Sequence, residues 1–416
     1  MHCINQFVYI KAYKIETKMN ILFYCSEYPP YVTGGIGSAT KIVAEELAKR
    51  GHNVYVVGYY VSMPEKGVLY ENINNVHIYR INKGYRNNAI KRKIFGLLYK
   101  VGKTNFLIQR EVSYIDEFIQ HLIDTKDIEV IEFTDYLNQC LYTKGKLSFK
   151  EFNIPCILRI HGCASFISSL KGEHNNHIQK NDQRHFLRCN HISSVSQYSL
   201  DYILNNFDCN HFKIKEVVYN PIEETFLQRN TANDNNTILF IGKISETKGC
   251  YSLLKAFNNI SLRHPNWRLR LVGNGNIQEA KSYIRPEVID KVEFLGFCNR
   301  EEIKQEIDNC SFACIPTYFE NFSMVALEVM AREKALIYTE RTSGKEIIED
   351  SYNGFAVDPE NINEIEEKCN LLIDDAQKRR EFAEKAYFTI KENFLVKTIT
   401  DKLEEFYKKA IELNKR

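Results

Sequence analysis

The sequence predicts an α/β protein made of two Rossmann-like halves facing a cleft. Three observations carry that reading. Short apolar runs alternate with stretches of helical spacing along the chain. The alternation restarts near residue 237. Between the two series lies NPIEETFLQRNTANDNN (220–236), whose Pro and Asn-rich tail reads as linker.

In the first series, NILFYC (20–25), VYVVGYY (54–60), IEVIEF (128–133), CILRIHG (156–162), HISSVS (191–196) and IKEVVYN (214–220) read as strands. Each is β-branched and apolar on both faces, as a parallel strand covered on both sides must be. SATKIVAEELAKRGH (38–52) reads as a helix. There Ile42, Val43, Leu47 and Ala48 recur at helical spacing, and Gly51 follows as a stop. The second series runs through TILFIGKISETKG (237–249), RLRLVG (268–273), KVEFLGF (291–297), SFACIPT (311–317) and ALIYTE (335–340). The expected domains are 19–220 and 221–390, followed by a helical segment 391–416. Residues 1–18 are expected to be a disordered extension. Ligands in such sheets bind beyond the carboxyl ends of the strands, so the site is expected in the cleft between the halves.

The net charge of +2 gives no reason to expect a nucleic acid partner. Its distribution is uneven. Residues 1–220 hold 27 Lys and Arg against 20 Asp and Glu, a net +7; residues 221–416 hold 28 against 33, a net −5. From Asn72 to Arg110 there is no acidic residue. Within that span NAIKRKIFGLLYKVGK mixes basic and apolar positions. Two readings stand for residues 80–110: contact with an anionic membrane, or a solvated helix with one face in the core. The 12 cysteines have no C-x-x-C or zinc spacing, which suits the cytoplasm. No apolar run approaches the roughly 20 residues of a membrane span.

Four groups of residues carry chemistry. The first is YFENFSMVALEVMA (318–331), with Glu320 and Glu328 in apolar surroundings. Their spacing recurs at Glu216/Glu224 and Glu279/Glu287, so context is what distinguishes them. Glu320 falls beyond a strand end, Asn321 or Ser323 can cap the next helix, and Glu328 lies within that helix among Met324, Val325 and Ala331. A second reading pairs Glu328 with Arg332 on a solvated face. The second group is GKISETKG, where Gly242 ends a strand, Lys243 and Lys248 lie in the loop and Gly249 opens a helix. That is a place for a diphosphate, unless the lysines are merely solvated. The third is Gly34-Gly35-Ile36-Gly37 at a helix start, where backbone N–H groups can approach a phosphate or simply turn. Thr40 stands where a dinucleotide fingerprint needs its last glycine. The fourth is His161-Gly162 at a strand end, with His161 either a ligand contact or a structural hydrogen-bonder.

In this order the motifs resemble the retaining glycosyltransferases of the GT-B fold, the family of glycogen synthase, sucrose synthase and many lipopolysaccharide and capsule transferases. The resemblance covers nearly the whole chain from Met19. Its most specific part is ENFSMVALEVMA, supported by YPPYVTGGIGSAT, RIHG, VVYNPIEETF, ILFIGKISETKG, LVGNGN, VEFLGF and SYNGFAVDP.

The resemblance implies transfer of a sugar from a nucleotide diphosphate sugar to a saccharide or lipid-linked acceptor. It implies retention of configuration, no further cofactor, and no metal, since no D-x-D motif occurs. Catalytic roles fall on His161 near the reacting carbon, Lys243 and Lys248 at the diphosphate, and Glu320 at the donor sugar. Gly35 and Gly242 approach the phosphates, Gly273 and Phe297 border the base, Phe322 and Ser323 offer N–H groups, and Glu328 holds the ribose. The partners expected for both carboxylates are thus ligand hydroxyls, not protein cations. The last segment, in this fold, crosses back to the N-terminal domain. Lys243 replaces the family's usual Arg, Asn220-Pro221 a common Asn-Gly, and His161-Gly162 a frequent His-Asp. The competing readings are a nucleotide-sugar epimerase and a non-catalytic binder that kept the fold.

Overall fold

The computed structural model describes residues 18–31, 34–61, 63, 66–82, 89–170, 172, 175–229 and 235–415. The extension expected at the N-terminus lies, but for Lys18, outside them. Eight strands form the first sheet: β1 (Asn20–Tyr24), β2 (Asn53–Tyr59), β3 (Gly67–Ile73), β4 (Val76–Asn82), β5 (Val130–Thr134), β6 (Cys156–Ile160), β7 (His191–Ser194) and β8 (Lys215–Val217). Their order is β3-β4-β2-β1-β5-β6-β7-β8. Six strands form the second: β9 (Thr237–Ile241), β10 (Arg268–Val272), β11 (Val292–Gly296), β12 (Phe312–Ile315), β13 (Ala335–Thr339) and β14 (Phe355–Val357), in the order β11-β10-β9-β12-β13-β14.

The helices of the first half are α1 (Gly35–Lys49), α2 (Ala89–Lys100), α3 (Asn105–Lys126), α4 (Asn138–Leu141), α5 (Ala164–Leu170), α6 (Asn176–Leu187) and α7 (Gln197–Asn206). Those of the second are α8 (Cys250–Arg263), α9 (Ile277–Lys281), α10 (Arg300–Asn309), α11 (Met324–Ala331), α12 (Ile362–Asp374), α13 (Ala376–Asn393) and α14 (Val396–Asn414). Both sheets are parallel except at one edge, where β3 and β4 form an antiparallel hairpin. Its turn is Asn74-Asn75, both at positive φ, which Asn tolerates better than most residues.

Alternation along β1 shows why both faces need cover. Leu22 and Tyr24 enter one buried cluster with α3, while Ile21 and Phe23 enter another with α1 and α14. Helix α14 supplies Ile399, Leu403, Phe406 and Tyr407 to that second cluster. Polar contacts fix its position. Arg50 Nη1 lies 2.6 Å from Asp401 and 3.0 Å from Glu404. The Tyr407 hydroxyl donates to Glu132 at 2.6 Å. His52 Nδ1 accepts from the Met19 amide, which turns Nε2 toward Glu404, 3.3 Å away.

The chain passes between the halves twice, and the two passages touch. The Ile222 amide donates to the Phe394 carbonyl at 2.8 Å, and the Val396 amide to the Ile222 carbonyl at 2.9 Å. Tyr219, Phe322 and Phe394 pack beside them, the first two stacked at 4.9 Å.

Candidate active site

Parallel strands put all their carboxyl ends on one edge of each sheet, and the predicted residues gather there. β12 ends at Ile315, and the loop after it carries Glu320. Thr317 Oγ1 donates to the Thr247 carbonyl at 3.2 Å, and the Tyr318 amide donates to the same carbonyl at 3.1 Å. These bonds tie the loop to the Glu246–Lys248 turn after β9. They bring Lys248 Nζ to 2.6 Å from Glu320 Oε2, with both side chains partly exposed. Glu320 therefore has a protein cation as partner, contrary to the expectation from sequence. The two motifs are adjacent strand ends, so their opposite charges meet. On the far side, Ser343 Oγ donates to the Glu320 carbonyl at 3.1 Å.

Glu328 differs. It stands partly buried in α11 and makes no hydrogen bond or ion pair among the described residues. Burial pushes its carboxyl up to about 7, while Arg300 and Lys304 draw it down and Glu223 pushes it further up. Arg300 is itself paired with Glu223. Arg332, the alternative partner in the sequence, is engaged by Asp308 at 2.6 Å. Ser323, not Asn321, caps α11, its Oγ accepting from the Ala326 amide at 3.2 Å. Phe322 sends its ring into the aromatic cluster at the chain crossings, so only its backbone stays at the loop.

Asn321 has another role, which the sequence did not reveal. Its Nδ2 donates to the His161 carbonyl, and its Oδ1 accepts from Ser199 Oγ at 3.0 Å. The residue after Glu320 thus bridges the cleft to two elements of the opposite half. Gly162 makes the approach possible. Its φ is +119°, and a Cβ there would lie 2.2 Å from Asn321 Nδ2. A second bridge comes from Glu346, whose carboxylate accepts from the Gln197 and Tyr198 amides at 2.8 and 3.0 Å, at the start of α7.

His161 follows β6. Its amide and that of Gly162 donate to the two carboxylate oxygens of Asp135, each at 2.9 Å. Asp135 is fully buried, and burial pushes its carboxyl up to about 7 despite those amides. Burial, with Arg159 nearby, holds the His161 imidazole well below its usual value, hence neutral. Asp135 was also missed in sequence; an acidic residue at a buried strand's carboxyl end was the available signal.

The glycines divide by role. A Cβ on Gly273 would lie 2.0 Å from the Gly242 carbonyl oxygen, and Gly273 has φ +134°, so these two hold the ends of β9 and β10 together. Gly34 and Gly37 would both strike Glu27, whereas Gly35 faces open space at the start of α1. Lys243 is exposed, makes no ion pair among the described residues, and stands on the Gly242 loop. Phe297 follows β11 and is 69% exposed. Contacts thus join Lys248 with Glu320, His161 with the Glu320 loop, and Gly242 with Gly273. Among the described residues, no hydrogen bond or ion pair joins Glu328, Gly35 or Phe297 to the others.

The comparisons with known proteins agree with this architecture. Residues 221–388 match the family model of glycosyl transferases group 1, and residues 20–165 that of the starch synthase catalytic domain. An uncharacterized glycosyltransferase of Methanocaldococcus jannaschii is 25% identical over 412 residues, covering 95% of this chain and 99% of its own. The N-acetylgalactosamine-N,N'-diacetylbacillosaminyl-diphospho-undecaprenol 4-alpha-N-acetylgalactosaminyltransferase of Campylobacter jejuni is 25% identical over 215 residues, 50% of this chain and 57% of that one. Sucrose-phosphate synthase from Thermosynechococcus elongatus superposes with a TM-score of 0.74 at 15% identity, over 95% of this chain and 100% of that one. Anabaena HepE, solved with UDP and glucose, gives 0.67 at 18% identity, over 94% and 100%. These matches give the epimerase reading no support. Two sheets with their carboxyl edges opposed, and family models matching both halves, lead to one conclusion: the chain belongs to the glycosyltransferases of the GT-B fold.

Proposed function

We propose that this glycosyltransferase moves a sugar from a nucleotide diphosphate sugar to a saccharide or lipid-linked acceptor, retaining anomeric configuration and using no metal, in cell-surface polysaccharide synthesis in the cytoplasm. The observation that carries the reading is the Lys248–Glu320 pair, held beside His161 through Asn321. A donor offering phosphate oxygens to Lys248 and sugar hydroxyls to Glu320 would exchange that pair for two ligand contacts. UDP and glucose bound to HepE, and the undecaprenol-linked acceptor in the Campylobacter relative's name, support the classes of donor and acceptor.

The roles follow the chemistry. Charge grows on the diphosphate as the glycosidic bond breaks, so cations fixed there lower the barrier. Lys243 and Lys248 supply them in place of a metal, with the backbone of Gly35 and Gly242 alongside. Glu320 holds the donor sugar, and the helix-start amides beside Phe322 and Ser323 assist. Glu328 accepts from the ribose, a use that suits a carboxylate left without a protein partner. Gly273 and Phe297 border the base. Neutral His161 lies on the sugar side as a hydrogen-bonding group.

A thermal-shift series with UDP, GDP, ADP and their sugars tests the reading, because a bound ligand raises apparent stability by mass action. One nucleotide series should stabilise the protein, and Glu328→Ala should lose that shift. No shift with any of them would overturn the proposal. Transfer should persist in EDTA, and the anomeric proton signal of the product should match that of the donor.

A further inference from the structure

Helix α2 carries an apolar stripe that faces away from the protein. Ile90, Ile94 and Leu97 recur at i, i+4 and i+7, Val101 continues the series just past the helix end, and the four are 71%, 54%, 64% and 58% exposed. Phe106, at the start of α3, adds a ring that is 68% exposed, with the Arg110 guanidinium 5.5 Å from its centre. The opposite side of α2 is anchored. Phe95 is buried and meets Tyr142 edge-on at 5.9 Å; Tyr99 meets the same ring at 6.5 Å. Among the described residues, no part of the domain covers the stripe.

Charge defines what fits. Lys93 and Lys100 flank the stripe on one side, and exposed Lys103 and Arg110 follow it. The acidic residues bounding this stretch in sequence are turned elsewhere: Glu71 pairs with Arg80, and Glu111 accepts from the Tyr59 hydroxyl at 2.7 Å. Arg80 is fully buried and donates to the Tyr28 carbonyl, so it belongs to the core and not to the basic surface read from sequence. Residues 83–88 lie outside the described residues. A second copy of the chain would bring like charges together around the stripe, which disfavours self-association.

We propose that α2 and the first turn of α3 dock the protein on an anionic lipid bilayer. The stripe enters the boundary between headgroups and acyl chains, and the lysines meet lipid phosphates. Position supports the assignment. Phe95 and Tyr99 share a cavity wall with Val61, just past β2, and with Leu141 and Tyr142, past β5. The docking surface is thus at the carboxyl-end rim of the sheet, the same end as His161, where a lipid-linked acceptor would arrive. The choice of that acceptor rests on the proposed function; the docking itself does not.

The test is co-sedimentation of the full chain with vesicles of phosphatidylcholine and phosphatidylglycerol, two to one, against phosphatidylcholine alone. Binding should be at least about tenfold tighter to the anionic vesicles and should weaken with salt. Ile94→Glu with Leu97→Glu should abolish it, and Lys93→Glu with Lys100→Glu should reduce it by about tenfold or more. Both variants should keep wild-type melting temperature and nucleotide-induced stabilisation, which separates this result from any failure of the donor site. Equal binding to both vesicles, or unchanged binding by Ile94→Glu/Leu97→Glu, overturns the proposal. So does a wild-type dimer that this double variant dissolves, which would make the stripe an interface between copies.

Discussion

Lys248 Nζ lies 2.6 Å from Glu320 Oε2, joining the turn after β9 to the loop after β12. Both side chains keep a quarter to a third of their exposure, so the pair adds less than about 1 kcal/mol to stability. Its value is positional. Lys248→Ala should lower turnover by roughly 10²–10³ while leaving the melting temperature nearly unchanged. Steady-state rates beside thermal melts check this. A variant that melts early would assign the pair to folding instead.

Glu328 should make stability fall as pH rises. Its carboxyl is raised from 4.5 to about 7 in the fold, so the native state holds a proton that the unfolded chain has released. Stability is then lost between roughly pH 4.5 and 7, up to about 3 kcal/mol, and stays lost above that. Glu328→Gln removes the penalty. It should melt higher than wild type at pH 8 and lose nucleotide-induced stabilisation, a pairing of effects that melts with and without nucleotide will show.

Glu404 has the opposite sign. Burial pushes its carboxyl up, but hydrogen bonds from His52 and Arg50 outweigh that and hold it down to about 2. The stability it contributes is complete above about pH 4.5 and disappears as pH falls toward 2, roughly 2–3 kcal/mol. Glu404→Gln should flatten the acid limb of the stability curve. Hydrogen exchange should show α14 losing protection first.

Asn321 should govern closure of the cleft. Asn321→Ala removes the bonds to His161 and Ser199, and small-angle scattering should show a larger radius of gyration. Gly162→Ala acts on the same contact from the other side. At φ +119° an alanine costs about 1–3 kcal/mol of backbone strain, and its Cβ meets Asn321. Each should lower turnover more than it lowers nucleotide binding.

Legibility in the sequence followed sequence distance. The eleven apolar runs each named a strand because parallel strands covered on both faces leave a nearly unbroken signal, as Ile238, Leu239 and Phe240 in β9 show. The β3–β4 hairpin was missed: its edge strand alternates exposed and half-buried residues, and its turn is Asn-Asn, not Asn-Gly. Local motifs located His161, Lys248 and Glu320. What joins them was not legible, because Asn321 meets partners 160 and 122 residues away. Such contacts are fixed by how two complete domains meet, and no local periodicity records them.

The placement of α14 also sets an order of assembly. Ile399, Leu403 and Phe406 fill the same cluster as Ile21 and Phe23. During synthesis the first half emerges early, yet one face of its sheet, covered only in part by α1, stays incomplete until α14 leaves the ribosome. The second half has by then all its strands and can fold as a unit. The domain translated first is the one completed last, and until then its open apolar face is the surface a chaperone would have to shield.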